Sequence, residues 1–529
     1  MPQLHPTLQK YIAQFQLWQR RIKESGEERT IEVDEVIARV ALFYEKIRGI
    51  VDWREEHLLR KTAIERILKR RILFATTKDI AEPLLLELVR GGHFPNRQIP
   101  VSQIETVQHI IDTYVSLLEE SSVPPGKIAD VQSWLFSIAA SEIEEILDPP
   151  IKERVLIEYV TEAMRERLSI AGKMKEQPNE EEIQLQLYIA AHRALFKFDD
   201  SIITYHLLQR LYSHWGRLSP EEISSIASRI LKLRDFISQA LLHPLSEKFY
   251  QLTERYDTPY LLIGDIFFDP NQIIQEIEQN PAVLEQKIRN SYNDRLFKLR
   301  ARLRRAAFYS VISIFLTKVL VASAIELPFE KFFIGYINFV ALGLGISIPS
   351  FLMAFLVLTT RSSSEENLQR TILEVTKAAY AAEDQPQYQI VLTEPKRGFL
   401  HAIIRAFYYL TFVITFGGII WGLRMLSFNP VSIAIFLMFI SLVAFAGMKI
   451  RQRSKELIVR EERPSILWTT FELFFLPIID AGKWLSSKLV RYNILVVIFN
   501  FLIEAPFQVF IDLLEQWRLF IKEKEEEIH

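Results

Sequence analysis

The sequence Arg295-Leu-Phe-Lys-Leu-Arg-Ala-Arg-Leu-Arg-Arg305, followed at once by Ala306-Ala-Phe-Tyr-Ser-Val-Ile-Ser-Ile-Phe315, divides this chain into two parts. The residues before it are charged and helix-periodic, whereas long apolar stretches follow it. A basic run directly before a long apolar stretch is typical of a membrane-spanning helix whose basic end stays in the cytoplasm. The sequence therefore predicts an integral membrane protein with a large water-soluble head.

The composition agrees with this division. The chain has 529 residues, of which 49% are hydrophobic, and it is too long for one ordinary core. A formal net charge of -2 says little about partners, because the positive charge gathers beside the apolar segments. With no cysteine, the chain cannot form disulfides, thiolate metal sites or a cysteine nucleophile.

Residues 1–290 have the pattern of an all-α domain. The chain contains only 17 glycines, and apolar residues in this part recur every three or four positions. Proline and glycine breaks divide the pattern into successive helices that we expect to form an irregular bundle. One helix start is well specified, because Ser219 and Glu222 flank Pro220 in the arrangement of a capping box. The N-terminus lacks a secretory signal pattern, so we expect the head to be cytoplasmic.

Four stretches are near the ~20 apolar residues that a helix needs to cross a bilayer. We predict two transmembrane hairpins, at residues 306–358 and 402–448, with spans near 306–325, 332–358, 402–423 and 430–448. A basic juxtamembrane helix at 291–305 precedes the first hairpin, and a loop at 359–401 separates the two. Basic residues flank the spans on one side, which places the head, this loop and the C-terminus in the cytoplasm, at a plasma (inner) membrane.

We expect two of these connections to be structured. No breaker follows Pro281 before the first span, so one helix can run from the head through the basic run into the membrane. In the 359–401 loop, Ser364 can open a helix to about Ala382, and residues 387–393 can be extended. The loop is therefore expected to dock on the head.

Residues 449–529 have a different pattern, which predicts amphipathic helices on the membrane surface and an acidic tail. Residues 466–479 are short for a span and contain Pro477. Beyond them, polar residues mostly four positions apart form a stripe on an otherwise apolar helix. The stripe comprises Asn493, Asn500, Glu504, Gln508, Asp512 and Gln516. Packing against the head, or a fifth and sixth crossing, would explain the same pattern.

Lys318 is the clearest charge within a predicted span, so it is a candidate intramembrane polar site. It could bind an anion or carry a proton. The structural alternative is that it reaches the outer interface or pairs with Glu326. In the second span, Gly343, Gly345 and Pro349 permit close helix approach and a kink, either for simple packing or to line a path with Lys318.

A basic helical face is a candidate contact for anionic lipid headgroups, with a solvated topology anchor as the alternative. It comprises Arg295, Lys298, Arg302 and Arg305. A second basic cluster at residues 60–71 is interrupted by Glu65 and lacks interleaved aromatic residues, so no nucleic-acid partner is expected.

The sequence contains no signature of a known catalytic site. It has no phosphate-binding loop, nucleophile elbow, zinc-protease or kinase motif. Glu105 and His109 are an isolated pair without the further ligands that a metal site needs, so we expect no metal and no cofactor.

Three functions remain open from the sequence. The leading hypothesis is a non-enzymatic scaffold or adaptor whose cytoplasmic head recruits protein partners at the membrane. The alternative is an oligomeric four-span transporter or channel, with Lys318 and the Gly343 to Ser350 kink at its pathway. A lipid-handling enzyme would need paired carboxylates near the membrane, for which the candidates are Glu472, Asp480, Glu504 and Asp512.

Overall fold

A computed structural model gives the fold of this chain. It describes residues 3–23, 28–33, 56–74, 79–171, 178–269, 277, 280–358, 365–380, 388–391, 399–454, 457–458, 466–491, 513, 517 and 520. The chain divides into two compact units, each described here by itself. Unit 1 comprises Met1–Tyr292 and Leu368–Glu394, and unit 2 comprises Asn293–Asn367 and Pro395–His529.

Unit 1 is helical, in agreement with the predicted all-α class. Its described helices up to residue 267 are α1 (Pro6–Lys23), α2 (Glu56–Phe74), α3 (Ala81–Arg90), α4 (Gln103–Glu119), α5 (Ile128–Leu147), α6 (Ile151–Glu166), α7 (Glu180–Phe196), α8 (Asp200–Leu211), α9 (Pro220–Ser228), α10 (Ile230–Leu241), α11 (Ser246–Arg255) and α12 (Asp257–Phe267). Short 3₁₀ turns lie at Pro125–Lys127 and Trp215–Arg217.

Helix α5 lies at the centre of unit 1. It packs against α2, α4 and α8, so nearly every residue of its second half is buried. Ile138, Ala139 and Ile143 are fully buried there, and three glutamates of the same half are largely buried. Buried carboxylates are costly unless they are paired or hydrogen-bonded, so each of these glutamates needs a partner in the core.

Two local predictions in unit 1 are confirmed. The Ser219 hydroxyl accepts a hydrogen bond from the Glu222 amide at 3.3 Å, and the Glu222 carboxylate accepts one from the Ser219 amide at 2.8 Å, forming the capping box at the start of α9. The extended piece expected within 387–393 is strand β2 (Tyr388–Val391).

The partner of β2 is a second strand that the helical pattern does not reveal. Strand β1 (Leu168–Ala171) follows α6 and pairs with β2 in parallel, with Leu168 opposite Tyr388. The buried hydroxyls of Tyr260 and Tyr388 share a hydrogen bond of 2.8 Å. The described residues 368–380 and 388–391 therefore pack with unit 1, as the sequence predicts for this loop.

Unit 2 contains the apolar helices. Helix α13 (Pro281–Val321) is continuous from the end of unit 1 through the basic run, as predicted, and is followed by α14 (Phe339–Leu358), α15 (Glu365–Ala379, mostly in unit 1), α16 (Phe399–Met425), α17 (Pro430–Ser454) and α18 (Ile466–Arg491). Four stretches of the described residues are long and apolar enough to cross a membrane: Pro281–Ile334, Phe339–Leu356, Arg405–Met425 and Pro430–Ser454.

The second span begins later than the sequence predicts, at Phe339 rather than at residue 332. The connection before it is helical, since π-helical turns cover Ala322–Glu326 and Glu330–Ile334. Gly335 then ends this segment with a φ of +87°, a left-handed conformation that glycine adopts without steric cost. The connection between the first two spans, expected to be a loop, is thus helical up to Ile334.

Glycines allow neighbouring helices of unit 2 to pack closely against each other. A Cβ on Gly447 of α17 would lie 2.4 Å from Leu356 Cδ1 of α14, and a Cβ on Gly482 of α18 would lie 2.0 Å from the Ser441 carbonyl oxygen of α17. Helix α18 is continuous through Pro477, packs beside α16 and α17, and is not among the four stretches that meet the spanning criteria. Its location on the membrane surface stays a prediction.

Candidate functional site

The candidate site consists of three buried charged side chains in unit 2 and two half-buried asparagines beside them, which we call the Lys318 cluster: Lys318, Glu326, Glu330, Asn338 and Asn429. Lys318 is 0% exposed and Glu326 is 1% exposed. The Lys318 ammonium forms an ion pair and a hydrogen bond with Glu326 Oε1, and it lies 5.3 Å from the centroid of the Phe439 ring. The predicted pairing of these two residues is present, and it is enclosed in protein.

Helix geometry explains how the pair forms over a separation of eight residues. At ~1.5 Å of rise per residue, the two backbone positions lie about 12 Å apart along a helix axis. The long Lys318 side chain extends toward Glu326, which ends the first π-helical turn. Turns of π-helix are rare and occur frequently at functional sites. The irregular winding thus accompanies the polar site.

Glu330 is buried by a different arrangement, without a cation. Only 3% of Glu330 is exposed, and its carboxylate accepts hydrogen bonds from the Asn338 backbone amide at 2.9 Å and from Asn429 Nδ2 at 2.8 Å. Among the described residues, no lysine, arginine or histidine forms an ion pair with it. Neutral N–H donors therefore hold this carboxylate.

The two asparagines also cap the helices that follow them. Asn338 Oδ1 accepts from the Ala341 amide at 3.0 Å at the start of α14, and Asn429 Oδ1 accepts from the Ser432 amide at 2.8 Å at the start of α17. Glu330 thus sits at two helix N-termini, where the helix dipole stabilises a negative charge.

The Asn338 side chain connects the two turns of unit 2. Its Nδ2 donates to the Ser427 carbonyl at 3.3 Å, which ties the segment before α14 to the segment between α16 and α17. Ser427 has a φ of 61°, so this turn is held in a left-handed conformation that is uncommon for serine. The cluster therefore fixes the geometry of both connections.

Apolar side chains surround the polar groups. Ala341, Leu423, Phe428, Ile433 and Phe436 form a buried hydrophobic group at the same end of α14, α16 and α17. In such surroundings charges interact more strongly than in water, and each uncompensated charge is costly. Separating the Lys318–Glu326 pair within these surroundings would therefore be costly.

Of the glycines and proline predicted beside Lys318, Gly345 is the one that the structure brings to it. A Cβ on Gly345 would lie 3.8 Å from Lys318 Nζ and 3.6 Å from Phe428 Cε1, whereas a Cβ on Gly343 would meet nothing within 4 Å. Pro349 lies inside α14, and Ser350 donates to the Ile346 carbonyl at 3.0 Å. Gly345 thus lies directly beside the ammonium, at a distance where a Cβ would make ordinary van der Waals contact.

The other predicted site residues lie elsewhere. On α13, Lys298, Arg302 and Arg305 are exposed and Arg295 is half-buried, so lipid contact by this face stays a prediction. The polar stripe of Asn493, Asn500, Glu504, Gln508 and Asp512 lies outside the described residues. Asp480 accepts a hydrogen bond from the Tyr408 hydroxyl at 2.7 Å. Nothing described pairs it with a second carboxylate for catalysis.

Sequence reasoning missed Glu330, Asn338 and Asn429. A local signal for the asparagines was present, because asparagine directly before an apolar helix, and before Pro430 in one case, is a typical N-cap. No local signal shows that Glu330 meets Asn429, which lies 99 residues further along the chain. Within the described residues, no group of three or more metal-ligating side chains is assembled.

Comparison with protein-family models, curated proteins and solved structures finds no match to this chain. The residues and their geometry are therefore the basis of any functional conclusion.

Proposed function

We propose that unit 2 transports or conducts a small cation across the membrane, with the Lys318–Glu326 pair in its path. The observation that carries this proposal is the complete burial of an ion pair among helices that are apolar enough to span a membrane. Ionisable groups at membrane depth are rare, and they typically mark pathways for ions or protons.

A purely structural role would have a simpler solution. Replacing a buried ion pair by well-packed hydrophobic residues is often neutral or stabilising, by about 1–4 kcal/mol. The turns of unit 2 are already held by Glu330 and the two asparagines. The Lys318–Glu326 pair is a further buried interaction beside these contacts.

The charges favour a cation as the transported ion. Among the described residues, Glu326 is held by the Lys318 ammonium and Glu330 by neutral donors. With both carboxylates ionised, the cluster carries one more negative than positive charge. A small cation can take the place of the ammonium on Glu326, and the Glu330 charge lowers the cost of bringing it there.

The scaffold or adaptor role of the head is a separate proposal, as are its cytoplasmic location and its contact with anionic lipid. In the adaptor hypothesis the ion pair only holds unit 2 together. The two hypotheses differ in the effect expected when both charged residues are replaced by apolar ones. If the pair lies in an ion path, a folded variant of this kind loses its ion flux. If the head is an adaptor, the variant keeps its adaptor function.

The test uses the purified full chain in liposomes, with potassium, sodium and proton fluxes measured in separate runs under an imposed membrane potential. We expect flux from the wild-type protein for at least one of these ions. The double variant Lys318→Met/Glu326→Leu is expected to fold and to give the flux of protein-free liposomes. Lys331→Met, which removes an exposed lysine nearby, is the matched control and should keep the flux.

Two results would overturn the proposal. One is a wild-type protein that passes none of the three ions. The other is a folded double variant with unchanged flux, which would show that the pair is a structural brace and would leave the adaptor role as the better hypothesis.

A further inference from the structure

The core of unit 1 contains a second group of buried charges, which we call the α5 acid cluster: Glu142, Glu144 and Glu145 of α5 with Arg60 of α2 and Arg154 of α6. The three glutamates are 2%, 6% and 8% exposed. Three carboxylates thus share two guanidinium groups in the centre of a helical bundle. Arg60 also pairs with the half-exposed Asp148, so the cluster has fewer positive than negative charges when its carboxylates are ionised.

Two of the glutamates have a cationic partner. Arg60 contacts Glu144 at 2.9 Å, and Arg154 pairs with Glu145. Glu145 also contacts His206 Nε2 at 2.7 Å, and the other nitrogen of His206 lies 2.6 Å from His192 Nε2. Burial would raise the pKa of Glu145, but its interactions with His206 and Arg154 outweigh burial and lower it.

Glu142 differs from its neighbours because it is held by neutral groups. Its carboxylate accepts a hydrogen bond of 2.8 Å from the Tyr114 hydroxyl, which in turn accepts one of 3.0 Å from Trp215 Nε1. Within the described part of the chain, no basic side chain forms an ion pair with Glu142. Glu142 is therefore the glutamate of this cluster that is buried without a cationic partner, which is costly when it is ionised.

The groups that face Glu142 come from every helix around it. They are Tyr114 of α4, Glu145 of α5, Arg154 of α6, Tyr205 of α8 with Gln209 on its hydroxyl, and Trp215 of the 3₁₀ turn. Burial raises the pKa of Glu142 to about 7, against the opposing effect of the Tyr114 hydrogen bond. The nearby Glu145 charge acts in the same direction as burial.

We propose that Glu142 is a reversible proton-binding site, and that unit 1 responds to pH through the proton that the α5 acid cluster takes up there. The bound proton reduces the charge excess of the cluster without moving a helix. Losing it leaves a carboxylate in the core beside Tyr114 and Trp215, and this weakens the contact between α4, α5 and the turn before α9. The residues of this site all belong to unit 1, and the proposal does not depend on the ion pathway proposed for unit 2.

The direction of the pH effect follows from the two states of the chain. In the unfolded chain Glu142 has its ordinary pKa near ~4.5, so between about pH 4.5 and 7 the folded state holds one more proton than the unfolded state. The stabilisation from this proton is complete below pH ~4.5 and is lost as the pH rises to about 7. His192 acts oppositely, because burial lowers its pKa and its stabilisation is lost as the pH falls. A variant is therefore needed to isolate Glu142.

The experiment compares the full chain with Glu142→Gln in detergent. The folded-to-unfolded ratio of the variant, relative to wild type, should rise by up to about tenfold per pH unit from pH 5 to 7 and then level off. The infrared difference between wild type and variant should show one protonated carboxyl band that titrates near neutral pH. Burial also raises the pKa of Glu144 and of Asp257 to about 7, and their bands cancel in this difference because both proteins contain them. Glu119→Gln, an exposed glutamate on α4, is the matched control and should change neither readout.

A second variant protects the test against misfolding of the first. Tyr114→Phe removes the hydroxyl that stabilises the ionised Glu142, so the midpoint of the infrared band should move to higher pH. The proposal would be overturned if the ratio of folded to unfolded protein differed between wild type and Glu142→Gln by the same factor from pH 5 to 7. It would also be overturned if the infrared carboxyl bands were the same in wild type and in both variants.

Discussion

Each of the two buried charge clusters of this protein has more carboxylates than cations, but the carboxylate without a cation is held differently in the two units. In unit 2, one ammonium meets one carboxylate at Lys318 and Glu326, and the second carboxylate, Glu330, is held at two helix N-termini. In unit 1, three carboxylates share two guanidinium groups, and Glu142 has only neutral partners. A buried ion pair is sensitive to the loss of one partner, whereas Glu142 responds to pH because burial raises its pKa to about 7.

This difference has a functional meaning for each site. A matched pair in apolar surroundings offers one strong interaction that a competing ion can replace. An unmatched carboxylate offers a site that a proton can fill. In both units burying a charge is costly. In unit 2 this cost favours the replacement of one ion by another, and in unit 1 it favours the uptake of a proton by Glu142. Two substitutions test this comparison: one removes the cation of the Lys318–Glu326 pair, and the other removes a hydrogen-bonding partner of Glu145.

The largest effect is expected when the matched pair is broken on one side. Lys318→Met leaves Glu326 buried and unpaired, which should cost about 3–5 kcal/mol in the free energy of unfolding of unit 2. The chain has no native cysteine, so labelling of a single Ala341→Cys reporter, at a position 2% exposed, follows this unit alone.

The control for this prediction is the double variant Lys318→Met/Glu326→Leu, which should recover most of the lost stability because no unpaired charge remains. A single variant as stable as wild type would show that Glu326 loses its charge or finds water when the lysine is removed. The comparison of a matched with an unmatched cluster would then fail.

A smaller effect is expected in unit 1, where partners are shared. His206→Phe leaves His192 Nε2 and one Glu145 oxygen without their hydrogen bonds, while Arg154 stays on Glu145. An unsatisfied buried polar group costs about 1–3 kcal/mol, so the loss should lie in this range. Labelling of an Ala139→Cys reporter, at a fully buried position of α5, measures it.

For this prediction the exposed His109→Phe is the matched control and should be neutral. A loss as large as that of Lys318→Met would mean that the chain of His192, His206 and Glu145 acts as a matched unit of its own, not as part of a shared network.

The smallest effect is expected for a polar interaction at the surface. Ser219→Ala removes the hydroxyl that accepts from the Glu222 amide, and it should cost about 1 kcal/mol because water can replace an exposed cap. Amide hydrogen exchange in the first turn of α9 measures this loss. Ser219→Thr keeps a hydroxyl and should behave as wild type; equal loss in both variants would show that the cap does not depend on this group.

Helix boundaries and caps could be read largely from sequence. The capping box at Ser219, the continuous helix from Pro281 and the four apolar stretches all depend on residues within a few turns of each other. The start of the second span was wrong because a left-handed glycine, Gly335, and the Asn338 cap outweighed the hydropathy of the residues before them. Hydropathy alone does not locate a helix end.

The polar sites were predicted only in part. Lys318 stood out because its charge interrupts an apolar run, and Glu326 was near enough along the chain to be named as a partner. Glu142, Glu145, His192 and His206 gave no such signal, since glutamates and histidines on a polar helix usually face solvent. Their burial depends on which helices pack around α5.

The sequence by itself determined the helical class of this protein, its division at the basic run and its membrane-spanning candidates, because these follow from short-range periodicity and from the hydropathy of consecutive residues. Only the tertiary structure decided that Glu330 lies at two helix N-termini and that three glutamates of α5 share two arginines. Those arrangements depend on contacts such as Glu330 with Asn429 and Glu145 with His206, which join residues 99 and 61 positions apart. The energy of a charge depends on all that surrounds it, and packing brings those surroundings together.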